Sequence, residues 1–331
     1  MRPGAPNRCR TGLVAAAIAV VAALAACSST AGPGPAAVGG PPRPAGAQDP
    51  AVIPSAAGGA APAACANPTA SLRPPASLPA PGAMPAGSTM AKIASRGRLI
   101  VGTDQNTYLF GFRNAATGEI EGFDVDIATE VARAIFGTAD GHVQLVATSS
   151  AQRIPFLQQG KVDIVAHTMT INCDRWQQVN FSTEYYHAGQ KVLVPKASAA
   201  GGIGDLGGKK VCAAAGSTSI ANIANAPSKP VPVSVPDWTD CLVMLQQGQV
   251  DAISTDDTIL AGLAAQDPTV KLVGSAFTDE PYGLGIAPKD DQFTRFVNGV
   301  LANIRADGRW LAIYQRWLGG TGTPPPAHYK D

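Results

Sequence analysis

An arginine, a Ser/Thr-rich turn and a pair of aspartates are the residues of this chain whose types and settings suit the holding of a small charged molecule. Arg175 ends the run TINCDR. Its guanidinium is a planar fork that meets a carboxylate through two parallel hydrogen bonds. The run AAAGSTS (Ala213–Ser219) reads as the end of a strand opening into a helix. Backbone N–H groups at such a start attract anions, and Ser217 and Thr218 either add hydroxyl donors or cap the helix, two roles that are compatible. Asp256 and Asp257, in AISTDDTIL, offer carboxylates, and either suits the cap of the next helix. These groups do not assemble into a catalytic set: the chain lacks G-x-S-x-G, H-E-x-x-H and a P-loop. GIGDLG (Gly202–Gly207) satisfies G-x-G-x-x-G, but KKVCAAA after it reads as a strand, so the dinucleotide context fails. No enzyme activity and no cofactor is expected. His142, His167, His187 and His328 are scattered and no CxxC occurs, so no metal site is expected either.

Composition narrows the field further. The chain has 331 residues, 45% hydrophobic and 15% charged, which is enough apolar material for packed cores. The formal charge of +1 lacks the basic excess that a nucleic-acid binder needs. Arg2, Arg8 and Arg10 followed by the apolar run Leu13–Ala26 read as an export signal, too short to span a bilayer. LAAC, ending at Cys27, resembles the bacterial lipobox, which makes Cys27 a lipidated first residue; an ordinary secretory signal or a short anchor is the alternative. Without the three arginines the 25 Lys+Arg fall to 22 against 24 Asp+Glu, a net charge near −2. Ser28 to about Thr89 is Ala, Pro, Gly and Ser with no sustained apolar period, and is expected to be a semi-rigid tether.

Beyond about Met90 the pattern alternates between strand and helix. RLIVGT, HVQLVAT, VDIVAHTM, QKVLVPK, KKVCAAAG, VDAIST and LGIAP read as strands; GFDVDIATEVARAIFG, AQRIPFLQQG, WTDCLVMLQQG and DDTILAGLAAQ read as helices, TSIANIAN as a helix start, with two closing helices in Asp291–Gly319. Alternation of this kind predicts an α/β fold with mostly parallel sheets. Two phrases repeat within it: LQQGKVDIV (Leu157–Val165) and LQQGQVDAI (Leu245–Ile253). Each reads as a helix end, a glycine suited to the left-handed cap, and Val-Asp opening a strand. Ligands of open α/β sheets sit beyond the carboxyl ends of strands. The phrases therefore aim Thr168–Arg175 and Thr255–Asp257 at a common site.

Cys9 leaves with the signal, and an even four cysteines remain besides Cys27, as befits disulfides in an exported protein. Cys212 and Cys241 lie in one segment assigned to a single lobe and are paired on that ground. Cys65–Cys173 follows by elimination and would staple the end of the tether to the body.

GFDVDIATEVARAI, LQQGKVDIVAHTMTINCDRWQQVNFSTEYY and the closing EPYGLGIAPKDD…ANIRADGRWLAIYQRWLG resemble, in order, the polar-amino-acid family of bacterial extracellular solute-binding proteins, across Arg98–Gly319. Within the family the likeness is strongest to actinobacterial glutamine/glutamate-binding lipoproteins. The resemblance implies a type II periplasmic-binding-protein-like fold. Two α/β lobes, residues 90–186 with 283–319 and residues 187–282, would be joined by hinge crossovers near Tyr185–Ala188 and Glu280–Tyr282, with 320–331 as a tail. It implies capture of glutamate, aspartate, glutamine or asparagine by a monomer that delivers it to an ABC permease; presentation of the liganded form to a membrane signalling protein is the alternative. It also implies roles. Arg175, with Thr170, Ser217 and Thr218, would hold the α-carboxylate, and Asp256 the ammonium, with Thr168 also at the ligand. Arg153 would face a distal carboxylate, helped by Ser149 and Ser150. Asp104 stands where glutamine receptors carry an acceptor for an amide, so acid and amide both stay open. Tyr108, Phe110 and Tyr282 would wall the pocket or lie in the core.

Overall fold

The computed structural model describes residues 40–53 and 65–331, so the export signal, Cys27 and the first stretch of the tether lie outside the described residues. In chain order the first half holds β1 (Ala70–Ser71), α1 (Thr89–Arg96), β2 (Leu99–Thr103), β3 (Asn106–Thr107), β4 (Gly111–Arg113), β5 (Ile120–Glu121), α2 (Phe123–Phe136), β6 (Val143–Ala147), α3 (Arg153–Gln158), β7 (Ile164–Val165), α4 (Cys173–Trp176) and β8 (Asn180–Phe181). A second body comes next: β9 (Tyr186–Pro195), β10 (Lys210–Ala214), α5 (Thr218–Asn225), β11 (Val231–Val235), α6 (Trp238–Gln246), β12 (Ala252–Asp256), α7 (Asp257–Gln266), β13 (Val270–Val273) and β14 (Asp279–Tyr282). The chain then returns through β15 (Gly285–Ile286), α8 (Asp291–Ala306), α9 (Arg309–Leu318) and β16 (His328–Tyr329).

Two sheets of like design result. Lobe 1 has the order β6-β2-β7-β15-β8 and lobe 2 the order β11-β10-β12-β9-β13. In each, three parallel strands come from consecutive strand–helix–strand units, and the strands beyond them run antiparallel. Parallel neighbours need a crossover, and the intervening helices supply it; the antiparallel members include β9, which enters lobe 2, and β15, which returns to lobe 1. β9 and β14 pair from Tyr186↔Tyr282 to Gly189↔Asp279, a two-stranded ribbon at the expected hinge.

Lobe 1 buries Ile93, Leu99, Phe123, Ile127, Val131, Phe296, Val300 and Trp310 between its sheet and α1, α2, α8 and α9. In lobe 2 both sheet faces are covered, by clusters around Cys212, Val233, Leu242 and Leu260 and around Val211, Ala213, Ile223 and Trp238. Continuous apolar runs such as KVCAA arise from that double burial. The disulfide Cys212–Cys241 joins β10 to α6 inside this core, and Cys65–Cys173 joins the segment before β1 to α4.

Part of the stretch expected as tether is bonded to the body. Gln48 forms an antiparallel bridge with Ser234 of the edge strand β11, and Ala51 N–H donates to Pro232 O at 2.7 Å. Asp49, nearly buried, pairs with Lys210 at 2.6 Å and Arg43 at 2.7 Å. Farther on, β1 lies parallel to β16, Ser71 Oγ donates to Phe181 O and Trp176 Nε1 to Pro68 O. These anchors are isolated backbone and side-chain bonds with no sustained period, which is why the composition reads as tether. The tail 320–331 is engaged in the same way, with Asp331 accepting from Arg73 and Arg295. Among the described residues no helix is long and apolar enough to cross a membrane.

Candidate functional site

The carboxyl ends of β7 and β12 bring the expected residues together. Past β7 the chain turns out of its strand at Thr168, whose φ of +40° is unusual for a β-branched residue. This turn is why VDIVAHTM yields only a two-residue strand. Thr168 is pinned by its N–H, which donates to Asp124 Oδ2 at 2.7 Å, while Tyr185 Oη donates to Asp124 Oδ1 at 2.6 Å. Burial pushes the Asp124 carboxyl up to about 7, with those two hydrogen bonds opposing it. Thr170 and Arg175 come next along the chain. Asn172 caps α4 by accepting from Arg175 N–H, which fixes the start of the arginine's turn.

Arg175 is buried and reaches across the cleft. Nη1 donates to Thr170 O at 2.7 Å, and Nη2 to Gly216 O of lobe 2 at 3.3 Å. Of five guanidinium N–H groups, three remain for another acceptor. Burial lowers its pKa, and the carboxylates of Glu280 and Asp256 oppose that. Arg153 lies beside it at the start of α3. Nε donates to Ser150 O at 3.0 Å, Nη1 to His167 O at 3.1 Å and Thr168 O at 3.5 Å, and Nη2 to Gly216 O at 3.4 Å. Burial, then the charge of Arg175, push it down to about 9 against Asp256 and Asp104. Both arginines of lobe 1 thus share one carbonyl of lobe 2. Gly216 permits that approach: its φ is +76°, and a Cβ there would lie 2.7 Å from Ala151 Cα of lobe 1. The two lobes are in contact across the cleft.

Lobe 2 contributes the start of α5 and the end of β12. Ser217 is the N-cap: its hydroxyl accepts from Ile220 N–H and donates to Ala214 O at 2.7 Å. Its single proton is thereby spent, and the helix start retains its leading backbone N–H groups for an anion. Thr218 Oγ1 donates to Glu280 Oε2 at 2.8 Å. Asp256 is fully enclosed. Oδ2 accepts from Tyr282 Oη at 2.6 Å, and Oδ1 has no hydrogen-bond partner among the described residues. Burial first, then Glu280, push its carboxyl up to about 8, against the Tyr282 bond and the charge of Arg153. The neighbouring Asp257 is differently employed, accepting from Thr258 N–H at 2.9 Å and Gly189 N–H at 3.4 Å. Geometry separates the two aspartates.

Other expected residues sit at the margin. Asp104 is buried but turned on its own loop, accepting from Gln105 N–H, Asn106 N–H and Thr107 Oγ1. Its link to the site is the field it exerts on Arg153. Ser150 enters through its carbonyl, and Ser149 closes a turn with Gln152. Tyr108 is 38% exposed; it meets Phe112 edge-on and abuts Gly262 of α7. It also lines a surface concavity of about 880 Å³ with Gln105, Arg113 and Trp317, away from Arg175 and Asp256. Phe110 belongs to the lobe 1 core, and Tyr282 serves through its hydroxyl.

A model of the bacterial extracellular solute-binding proteins, family 3, matches residues 99–320. The chain belongs to that family. Proteins of this family are described as extracellular and solute-binding. Within the family, the chain is 38% identical over 231 residues to the ABC transporter glutamine-binding protein GlnH of Bacillus subtilis, covering 70% of this chain and 84% of that one. It is 31% identical to the glutamate-binding protein GluB of Corynebacterium glutamicum, covering 71% and 85%. Among solved structures, an ancestral arginine-binding protein bound to glutamine superposes with a TM-score of 0.64 at 33% identity, over 68% of this chain and 99% of that one.

Two further residues of this cleft are not marked by the sequence as such. Glu280 reads there only as a hinge position, yet its carboxylate accepts from Thr170 and Thr218 and is 2% exposed. Gly216 reads only as part of a helix start. An acidic residue inside the apparent hinge strand DEPY is the one sequence signal for the first, because a charge in a pairing strand needs a partner.

Proposed function

We propose that this family 3 protein captures glutamate, aspartate, glutamine or asparagine between its lobes and delivers it to an ABC permease. The carrying observation is the enclosed Asp256 Oδ1, which lacks a partner among the described residues, in the same cleft as Arg175 with three unspent N–H groups. An uncompensated buried carboxylate is costly, and a bound ammonium would satisfy it. A zwitterion brings both complements at once: its carboxylate for Arg175 and its ammonium for Asp256. Arg153, with one N–H left after its carbonyls, is the cation nearest to hand for a distal carboxylate or amide oxygen. The names of the glutamine- and glutamate-binding relatives support the same ligand class. Lipidation at Cys27 would hold the protein at the outer face of the membrane. Calorimetry of the signal-free protein against the twenty amino acids tests the ligand class, and silence toward all four would end it. Loss of Cys27→Ala from the membrane fraction tests the anchor.

A further inference from the structure

The hydroxyls of Thr170 and Thr218 face a carboxylate that the protein itself provides. Thr170 Oγ1 donates to Glu280 Oε2 at 2.6 Å, and Thr218 Oγ1 donates to the same oxygen at 2.8 Å. Oε1 accepts from Thr278 Oγ1 at 2.8 Å and from Asn222 Nδ2 at 3.1 Å. The four donors come from three places: Thr170 from lobe 1, Thr218 and Asn222 from α5 of lobe 2, and Thr278 from the approach to the hinge strand β14 that carries Glu280. A carboxylate has about four lone-pair sites and all four are used. A hydroxyl has one proton, so a threonine committed to Glu280 has none for a ligand's carboxylate.

We propose that Glu280 is a resident carboxylate that ties the two jaws together and opposes the carboxylate of an incoming ligand. The second half rests on the amino-acid reading under Proposed function; the tie between the jaws stands without it. Charge-assisted hydrogen bonds are about twice as strong as neutral ones, so an anion shared by Thr170 and Thr218 holds lobe 1 to lobe 2 better than a direct hydroxyl contact, which here spans 3.4 Å. The same anion is the strongest charge supporting Arg175 and the strongest raising Asp256, so it lies within electrostatic reach of both groups that would receive a zwitterion. With its hydroxyls spent, the cleft offers a ligand carboxylate the free N–H groups of Arg175 and the start of α5. Glu280 then acts as a positioning residue with an adverse charge, one that favours closure and limits affinity, so that captured ligand can be released.

Two substitutions separate the two effects. Glu280→Gln keeps the shape and can keep hydrogen bonds to the rotatable hydroxyls, but removes the charge. Glu280→Ala removes both. Small-angle X-ray scattering of the ligand-free proteins should show a larger radius of gyration for Glu280→Ala than for the parent. Addition of glutamine should return it to the parent's liganded value. Calorimetry should show Glu280→Gln binding glutamine and glutamate more tightly, by on the order of tenfold or more: in a medium of effective dielectric about 20, a like charge roughly 12 Å away is worth a factor of ten, and a nearer one more. Identical scattering of the empty Glu280→Ala and parent proteins would overturn the tie. Binding by Glu280→Gln that is unchanged or weaker, with an unaltered circular dichroism spectrum and melting curve, would overturn the opposition. Should the parent bind none of the four amino acids, the ligand reading fails while the scattering comparison still decides the tie.

Discussion

In lobe 1 the chain leaves α3 through Gly160 at φ +64°, and in lobe 2 it leaves α6 through Gly248 at φ +67°. Gly160 N–H donates to Leu157 O at 3.1 Å, and Gly248 N–H to Leu245 O at 3.0 Å. Lys161 N–H closes on Phe156 O and Gln249 N–H on Met244 O, at 2.9 and 2.8 Å. The aspartate that opens each strand then clasps one residue of the neighbouring strand twice. Asp163 donates its N–H to Ile100 O and accepts from Ile100 N–H through Oδ2; Asp251 does the same with Lys210. From that point the lobes diverge. β7 ends after two residues and its chain swings out at Thr168 toward Arg175, while β12 runs five residues, supported by β9, to Asp256. The shared nine-residue design fixes how a strand enters its sheet. The candidate ligand groups lie at the strand's carboxyl end or beyond it, where the two copies have nothing in common.

The sharpest way to break that division is to remove the residue that one copy delivers. Arg175→Ala is expected to cost about 2–5 kcal/mol of amino-acid binding, the usual penalty for deleting one partner of a buried charge pair. That corresponds to roughly 30-fold or more in Kd by calorimetry. Arg175→Lys should recover only part of it, because a point charge lacks the fork. Asp256→Asn should weaken binding on a similar scale from the other lobe. Were either variant to bind as the parent does, the strand end concerned would not be a ligand-delivering one.

A smaller effect concerns ligand choice, which lies outside both repeats. Arg153→Ala should weaken glutamate and aspartate by on the order of tenfold more than glutamine and asparagine, since a charged partner gains more from a buried cation than an amide does. Equal losses for all four would place Arg153 in the scaffold that holds Gly216, Thr168 and His167, and out of the side-chain pocket.

Legibility ran along the same line between local and non-local causes. The helix–Gly–strand joints can be read from the phrases because cap and strand start are neighbours in sequence. Arg175 and Asp256 can be placed because each lies a short run beyond its joint. Glu280 cannot: its partners Thr170 and Thr218 lie 110 and 62 residues away, and nothing local marks their meeting. Asp104 is the opposite case, since its nearest donors belong to the loop immediately after it and the sequence shows them together. The docked stretches of the N-terminal segment escape notice because a few backbone bonds to an edge strand leave no period in the sequence.

Asp256 also makes the comparison pH-dependent. Its carboxyl is held up at about 8, so the folded state binds a proton that the unfolded state has released above the ordinary carboxyl value. Stability of the empty protein therefore falls as pH rises toward 8, and Asp124, held up at about 7, adds to the same slope. A ligand ammonium favours the ionised form, so affinity should improve as pH rises toward 8 and flatten beyond. The melting-temperature gain on adding glutamine should accordingly be larger at pH 8 than at pH 6. In Asp256→Asn the pH slope of the affinity should vanish, while the share of the stability slope due to Asp124 should remain. A parent affinity that is flat across this range would show that the second joint does not aim its aspartate at the ammonium.

The smallest expected effect tests the joints alone. A Cβ at Gly160 or at Gly248 would meet nothing within 4 Å, so Gly160→Ala and Gly248→Ala differ from the parent only in forcing alanine into the left-handed region. That conformation costs a non-glycine residue roughly 1–2 kcal/mol, partly offset by the stiffer unfolded chain. Each variant should lose about 1 kcal/mol in urea denaturation, by nearly equal amounts, with Kd for glutamine unchanged. Equality would mean that the two joints are one device used in different lobes. A loss of affinity in one variant alone would mean that its joint also sets the aim of the residues beyond the strand, and that the separation between how a strand enters and what it delivers holds in only one lobe.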